Sequence, residues 1–322
     1  MAATTAAADA AAARAAALQK LSMRSAKRKE DQEALRKKLM LKLYLEGLKT
    51  KLKAKGREPV KEAPAATPRT QHSQDELTIR GDGTRDSARA CADVLRRHGC
   101  ACLQTSLDSA KIERCRVLCE EALENTLKDA DARGLDRTGL KTKEIVSRQA
   151  LRFDLVRGIA DTEPFSALAK GGPWCAAIRQ ALGVDMKLIK SGCVVAMPGC
   201  PRQPVHPDGK HLFEEGDHLP PHCITVFVPL IDMSEQLGPT EFYPGTHRRD
   251  CPRQDYKACE TGDCEGVAFT SAKAGDAVMF DYRVLHRGGA NSSTRQRPLL
   301  YFTYARPWFT DATNYSAVSL DD

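Results

Sequence analysis

The 322-residue sequence lacks three features that would each assign it to a class of protein. No run of 18 or more apolar residues occurs, so a transmembrane helix is not expected. The first residues contain no secretory hydrophobic core, because their apolar members are nearly all alanine, and the twelve cysteines include no C-x-x-C pair. These absences argue against a secreted disulfide scaffold and a structural zinc site. We therefore interpret the cysteines as reduced thiols of an intracellular protein.

Basic charge is concentrated at the start of the chain. The formal net charge is +7, and residues 1–62 alone contribute a surplus of nine, with 16 Lys and Arg against 7 Asp and Glu. The folded part of a nucleic-acid-binding protein would carry this basic surface itself, so we do not expect the folded part here to bind nucleic acid. We divide the chain into a basic, Ala/Lys-rich arm (1–62), a Pro-containing linker (63–81) and a folded domain (82–322).

The arm contains one amphipathic pattern, a leucine stripe at helical spacing among lysines, formed by Leu41, Leu45, Leu48 and Leu52. Two interpretations remain open. In the first, the arm contacts a membrane surface, RNA or a partner, or directs the chain to an organelle. In the second, it is a partly helical or disordered extension in solvent. The chain ends without a peroxisomal Ser-Lys-Leu signal, and we expect an intracellular, cytoplasmic location.

Apolar periodicity predicts the secondary structure of the domain. Residues 85–98 predict a helix, residues 101–103 a short strand, and the stretch after Asp108 a second helix capped by that carboxylate. Further on, short β-type runs alternate with Gly and Pro, at 186–189, 193–197, 224–230, 240–243, 277–285 and 299–304. Short strands in series, without long helices between them, predict a mainly β fold, an antiparallel sandwich or barrel with flanking helices.

Three residues have the types and spacing of a metal site. His206 and Asp208 are two positions apart, and side chains at i and i+2 leave the same face of a strand, so both can bind one ion. His286 follows the apolar run 277–285 and precedes a glycine-rich turn. Each residue alone is also consistent with a surface or hydrogen-bonded side chain, because short motifs arise by chance. Together, two imidazoles and a carboxylate suit iron(II) and leave coordination positions open, whereas closed zinc sites need a fourth ligand.

An arginine after His286 would complete such a site. The chain returns from the glycine-rich turn at Arg297, which we expect to lie beside the strand that carries His286. A dicarboxylate cosubstrate such as 2-oxoglutarate, bound to iron at one end, needs its far carboxylate held, and a guanidinium does this with two parallel hydrogen bonds. Arg295 has the same strand parity, so spacing alone leaves both arginines as candidates.

The stretch from Val94 to Asn314 resembles the phytanoyl-CoA dioxygenase family of iron(II)- and 2-oxoglutarate-dependent oxygenases. Besides the residues above, the resemblance rests on LGPTEFYPGTH at 237–247, AGDAVMFD at 274–281 and HRGGANSS at 286–293. It implies a double-stranded β-helix (jelly-roll) core with helices packed on one side. It also selects Arg297 over Arg295 and indicates Thr225 and Gln203 as further 2-oxoglutarate ligands.

These observations predict an oxidoreductase, an iron(II)- and 2-oxoglutarate-dependent dioxygenase that hydroxylates a small molecule and releases succinate and carbon dioxide. The rival hypothesis is a catalytically inactive jelly-roll binding protein recruited through its basic arm, because fold does not fix function. We expect the loop at 209–222 to select the substrate. Five basic residues are candidates to place positive charge near the pocket and favour an anionic substrate: Arg148, Arg152, Lys187, Lys190 and Lys210.

Overall fold

The computed structural model describes most of the folded domain. The described residues are 72–105, 107–156, 162–213, 216–250, 258–259, 261 and 266–311. The arm at 1–62 and the predictions made for it lie outside these residues. The first strand, β1, lies within the part of the chain assigned to the linker.

Four α-helices occur in the described ranges: α1 (Arg85–His98), α2 (Ser109–Ala132), α3 (Phe165–Gly171) and α4 (Cys175–Leu182). Helix α1 begins where the Thr84 side chain accepts a hydrogen bond from the backbone N–H of Ser87, and it ends at Gly99, whose φ of 82° favours glycine. Helix α2 begins at the predicted cap, Asp108. None of these helices is both long enough and apolar enough to cross a membrane.

Eleven β-strands in the same ranges form two sheets. They are β1 (Thr78–Arg80), β2 (Cys100–Gln104), β3 (Ile145–Gln149), β4 (Arg152–Leu155), β5 (Lys187–Ala196), β6 (Cys223–Pro229), β7 (Thr240–Phe242), β8 (Val267–Ala268), β9 (Ala277–Asp281), β10 (His286–Gly288) and β11 (Arg297–Ala305). The larger sheet has the order β1-β2-β9-β6-β11-β5-β4-β3, and the smaller has the order β10-β7-β8. Every pair is antiparallel except β1 with β2.

The larger sheet packs its outer face against the helices and turns its inner face toward the smaller sheet. Side chains alternate across a strand, so Leu300 and Phe302 of β11 belong to the core shared with the helices, while Leu299 and Tyr301 line the interior cavity. Trp174, fully buried beside α4, stacks on Phe302 with 5.6 Å between ring centroids. This is the mainly β architecture with flanking helices that the sequence predicts.

The structure corrects the prediction that one continuous strand leads into His286. The apolar run 277–285 is a strand only as far as Asp281, and His286 starts a separate strand, β10, in the smaller sheet. The intervening residues 282–285 are all buried. They are therefore mostly apolar, like the strand before them, although the backbone turns there. Strand β11 lies between β6 and β5, so the expectation that Arg297 lies beside the strand of His286 is wrong.

Candidate metal centre and active-site cavity

His206 and His286 are neighbours through their backbones. They form an isolated antiparallel bridge in which each backbone N–H donates to the other's carbonyl oxygen at 2.9 Å. The bridge places the two ring centroids 4.7 Å apart. Asp208 follows two residues later, and its Oδ1 lies 3.7 Å from Nε2 of His286. Residues far apart in the sequence are thus brought together by backbone pairing.

Each imidazole is oriented by a carbonyl group two residues before it. Nδ1 of His206 lies 2.8 Å from the carbonyl oxygen of Pro204, and Nδ1 of His286 lies 3.0 Å from that of Val284. A carbonyl oxygen can only accept, so each Nδ1 carries the proton and each Nε2 keeps its lone pair for a metal. Burial lowers the pKa of His286, which favours the neutral, metal-binding form.

These three side chains form a candidate donor set for a metal ion. One ligand atom from each of His206, Asp208 and His286 lies within 4.8 Å of the others, and no second group of this kind occurs among the described residues. Two imidazole nitrogens and one carboxylate suit a facial iron(II) site with three positions left for other ligands. The residues present therefore fit the metal predicted from the sequence.

The metal-ligand candidates lie on the wall of a cavity with about 750 Å³ of empty space, its open mouth included. Much of the remaining wall consists of inward-facing side chains from four neighbouring strands of the larger sheet. They are Arg152 and Asp154 of β4, Lys190 and Val194 of β5, Thr225 and Phe227 of β6, and Arg297, Leu299, Tyr301 and Thr303 of β11. All occupy alternate positions on their strands, which explains why they converge on one space.

Arg297 lines this cavity and is only 1% exposed. Its Nη1 donates to the carbonyl oxygen of Gly238, while its Nε is buried without a hydrogen-bond partner in the described structure. Burial and the nearby Arg152 lower the pKa of Arg297. Arg295, the alternative by spacing, is exposed and lies in an outer groove beside α2. Of the two, Arg297 is the one placed to reach a ligand in the cavity.

Arg152 is a second buried guanidinium in the cavity, and the sequence did not identify it as a cosubstrate ligand. Its Nη2 donates to the carbonyl oxygens of Pro201 at 3.1 Å and Gly289 at 2.9 Å, and its Nε is buried without a partner in the described structure. Within the described ranges, no carboxylate forms an ion pair with Arg152 or Arg297. Two buried cations without a counter-charge are unfavourable unless an anion binds between them.

Gln203 and Thr225, the two further candidates, also line the cavity. The side-chain Oε1 of Gln203 accepts from the backbone N–H of Gly288 at 3.1 Å, which fixes the amide against β10. Thr225 is 2% exposed, and its hydroxyl shares a hydrogen bond with that of Thr303 at 3.1 Å. Both lie at the cavity wall, and their contact with a cosubstrate stays a prediction.

The substrate-related expectations have mixed outcomes. Of the five basic candidates, Arg148, Arg152 and Lys190 line the cavity, whereas Lys187 and Lys210 do not. None of the described residues of the loop at 209–222 lines it either, so the structure gives no support to substrate selection by that loop. The loop instead contacts the buried Arg283–Asp281 ion pair, because Nη1 of Arg283 donates to the carbonyl oxygen of Leu219 at 3.0 Å.

Comparison with known proteins agrees with this geometry. Residues 95–299 match the sequence model of the family described as phytanoyl-CoA dioxygenase (PhyH). The non-heme alpha ketoglutarate dependent carbocyclase SnoK from nogalamycin biosynthesis is 19% identical, with a TM-score of 0.51 over 68% of this chain and 83% of that one. The epimerase SnoN from the same biosynthesis is 18% identical, with a TM-score of 0.51 over 74% of this chain and 94% of that one.

A further similar structure is AviO1 from Streptomyces viridochromogenes Tue57, which is 19% identical, with a TM-score of 0.52 over 70% of this chain and 98% of that one. At these identities the likeness concerns the fold alone. It confirms the predicted jelly-roll core with helices on one side.

Proposed function

Because the chain belongs to the phytanoyl-CoA dioxygenase family, we propose that it is an iron(II)- and 2-oxoglutarate-dependent dioxygenase that hydroxylates a small molecule. Iron(II) and 2-oxoglutarate are the cofactor and cosubstrate on which the family match and the His-Asp-His group agree. A structure of the similar epimerase SnoN holds Fe3+, alpha ketoglutarate and nogalamycin RO, which supports a small molecule as the substrate here.

In this proposal, Nε2 of His206, Nε2 of His286 and the Asp208 carboxylate hold the metal. The hydrogen bonds from each Nδ1 to a carbonyl oxygen orient both rings before the metal arrives, so the site is preorganised. When bound, iron(II) and 2-oxoglutarate together activate O2, with succinate and carbon dioxide released and one oxygen atom inserted into a C–H bond of the substrate.

Arg297 and Arg152 bind the cosubstrate. A carboxylate beside Arg297 would give its buried Nε a hydrogen-bond acceptor and would offset the cost of burying the guanidinium. Arg152 adds a second positive charge to the same cavity, close enough to that of Arg297 to lower its pKa. One observation carries the proposal. The same cavity is lined by a metal-donor group and by two buried guanidiniums that form no ion pair with a carboxylate of the described residues.

The alternative is a jelly-roll protein that binds a ligand without catalysis. Such a protein has no need of two imidazoles and a carboxylate whose ligand atoms lie within 4.8 Å of one another, whereas an oxygenase needs that group intact. Asp208 also bears on the reaction type. It occupies the position that related halogenases leave to a halide by having a small residue there, so hydroxylation is favoured over halogenation.

Anaerobic titration of metal-free protein with iron(II) and 2-oxoglutarate tests the proposal. We expect a metal-to-ligand charge-transfer absorption band when both are present, and succinate once air is admitted. A protein that shows neither is the non-catalytic alternative. A small-molecule library screened for stimulated 2-oxoglutarate turnover then identifies the substrate, and mass spectrometry of the product shows whether it has gained an oxygen atom.

A further inference from the structure

Asp154 is a buried carboxylate at the cavity wall whose two oxygen atoms have different surroundings. Its Oδ2 accepts from Nε of Arg148 at 3.0 Å, from Nη2 of Arg148 at 2.5 Å and from the Tyr301 hydroxyl at 3.4 Å. Its Oδ1 is also buried but accepts no hydrogen bond from any described residue. A buried carboxylate oxygen without a donor is unfavourable, so one hydrogen bond is left for a ligand to supply.

Arg148 and Tyr301 fix the Asp154 side chain in this orientation. Burial and the Asp154 carboxylate raise the pKa of Tyr301, so its hydroxyl keeps the proton that it donates. A Cβ at Gly192 would lie 2.6 Å from that hydroxyl oxygen, so glycine on β5 leaves room for the ring to reach Asp154 on β4. Because these contacts engage Oδ2, the oxygen left to a ligand is Oδ1.

The surroundings of Asp154 already contain both signs of charge. The Arg148 guanidinium compensates the carboxylate directly, through its two hydrogen bonds. Lys190 lies on the next strand, where burial and Arg148 lower its pKa while three carboxylates oppose that shift: Asp154, Asp208 and Asp311. A ligand group that meets Oδ1 therefore needs to bring a hydrogen to donate, and it needs no charge of either sign.

Neither 2-oxoglutarate nor O2 can supply this hydrogen bond. The dianion of 2-oxoglutarate has only acceptor oxygens, and O2 has no hydrogen. Arg152 and Arg297 both pair with Ala196, which places the two guanidiniums in one row across the sheet. Asp154 pairs with Val194 in the next row, about 7 Å along β4 from Arg152. The substrate is the component left to donate to Oδ1, and an ordered water is the competing donor.

We propose that the substrate carries an uncharged hydrogen-bond donor, a hydroxyl group or an amide N–H, that donates to Oδ1 of Asp154. This inference rests on the proposed function, because it takes the cavity beside the metal group as the substrate site. It also makes Asp154 a residue that determines specificity. An analogue without the donor is rejected, because it leaves the buried oxygen unpaired.

Matched neutral probes test the inference without turnover. Benzyl alcohol and benzamide carry the two kinds of donor, and benzyl methyl ether and N,N-dimethylbenzamide are their counterparts without a hydrogen to donate. The protein is loaded with saturating 2-oxoglutarate and with Mn(II) in place of iron(II). Mn(II) is paramagnetic and broadens the NMR resonances of a probe held near it, so titrations followed by this broadening measure binding in the cavity. Zn(II)-loaded protein gives the background.

We expect at least one donor probe to bind about tenfold or more tightly than its methylated counterpart, the gain typical of a hydrogen bond to a charged group. The pair with the larger ratio tells a hydroxyl from an amide. Benzylammonium, the charged analogue of benzyl alcohol, should bind no more tightly than the alcohol, because it would place a further cation beside Arg148.

Asp154→Asn separates the hydrogen bond from the size of the added methyl groups. Arg148 and Tyr301 should hold the amide oxygen in the place of Oδ2, so an NH2 group that cannot accept takes the place of Oδ1. The preference for donor probes should then disappear. Asp185→Asn is the matched control, an exposed residue that does not line the cavity, and it should keep the preference. Circular dichroism and thermal unfolding establish that both variants are folded.

Equal binding of each donor probe and its methylated counterpart, whether tight or undetectable, overturns the inference, and it is the result expected if a water satisfies Oδ1. A preference that persists in Asp154→Asn, or tenfold tighter binding of benzylammonium than of benzyl alcohol, overturns it as well. The probe comparison needs no variant, so it decides the inference even if Asp154→Asn does not fold. Failure of the proposed function is seen separately, as the absence of the charge-transfer band with iron(II) and 2-oxoglutarate, a measurement that needs no probe.

Discussion

His206 and His286 exchange both of their backbone hydrogen bonds, each N–H lying 2.9 Å from the other residue's carbonyl oxygen. The pairing continues upstream, where the backbone N–H of Gln203 donates to the carbonyl oxygen of Gly288 at 2.9 Å. Neither imidazole takes part in this pairing, so sheet-type hydrogen bonds fix the spacing of the two backbones, and the hydrogen bond from each Nδ1 then orients its ring. Ligand side chains can therefore be changed without removing the framework that positions them.

Asp208→Ala should abolish iron(II) binding and turnover while leaving the domain folded. The Asp208 side chain is 30% exposed, so its removal opens no core cavity and should change the free energy of unfolding by less than about 1 kcal/mol. Iron content after anaerobic loading, succinate formation and urea unfolding of metal-free protein are the three measurements. Asp217→Ala, an exposed carboxylate in the following loop, is the control and should behave as the unmodified protein. Full turnover by Asp208→Ala would contradict the metal assignment.

Arg297→Ala should raise the 2-oxoglutarate concentration needed for half-maximal turnover by roughly 10- to 100-fold, because charge-assisted hydrogen bonds to the far carboxylate are lost. Arg295→Ala is the matched control, since that side chain is exposed outside the cavity. Steady-state kinetics with 2-oxoglutarate as the varied substrate gives both values. If Arg295→Ala shows the larger increase, the anchor has been assigned to the wrong arginine.

Local signals in the sequence predicted local structure well. The period of helix α1 and the carboxylate cap of α2 depend on neighbouring residues only, and both were found where predicted. The types and spacing of His206, Asp208 and His286 were enough to select a group whose ligand atoms prove to lie within 4.8 Å of one another. Each of these inferences needed no knowledge of strand order.

What depends on strand order could not be predicted. Arg152 lies near Arg297 because β5 lies between β4 and β11, and this order joins parts of the chain that are distant in sequence. A local signal was present, since Arg152 and Asp154 alternate with apolar residues at 151–155, but nothing in that pattern says which sheet face or cavity they share. The break between β9 and β10 was missed for a related reason, because a buried turn has the composition of a strand.

Gly288→Ala should weaken 2-oxoglutarate binding although residue 288 has no functional group. A Cβ there would lie 2.5 Å from Oε1 of Gln203 and would also meet Nη1 of Arg152, so the buried guanidinium would have to move. We expect the half-saturating 2-oxoglutarate concentration to rise about tenfold, the effect of losing one charge-assisted hydrogen bond. Gly139→Ala is the control, because a Cβ at that position meets nothing within 4 Å. An unchanged half-saturating concentration in Gly288→Ala would show that Arg152 does not contribute to cosubstrate binding.

Acid should destabilise the fold partly through two histidines outside the metal group. Burial lowers the pKa of His218 and of His222 from 6.5 to about 4. Between those pH values the unfolded chain binds protons that the folded chain does not. The free energy of unfolding should therefore fall as the pH is lowered from about 6.5 toward about 4. Above about pH 6.5 these two histidines should cause no such decrease.

His222→Gln separates the titration of His222 from its packing. The ring of His222 is 2% exposed and lies 4.6 Å from the Phe309 ring centroid, so the substitution should lower stability at pH 7.5, where the histidine is neutral in both states. At pH 5 the unmodified protein also bears the cost of keeping His222 unprotonated, up to about 1.4 kcal/mol per pH unit below 6.5, and the glutamine variant does not. Urea unfolding of metal-free protein at both pH values should therefore show a smaller deficit for His222→Gln at pH 5. An equal or larger deficit at pH 5 would mean that His222 is protonated as readily in the folded chain as in the unfolded one.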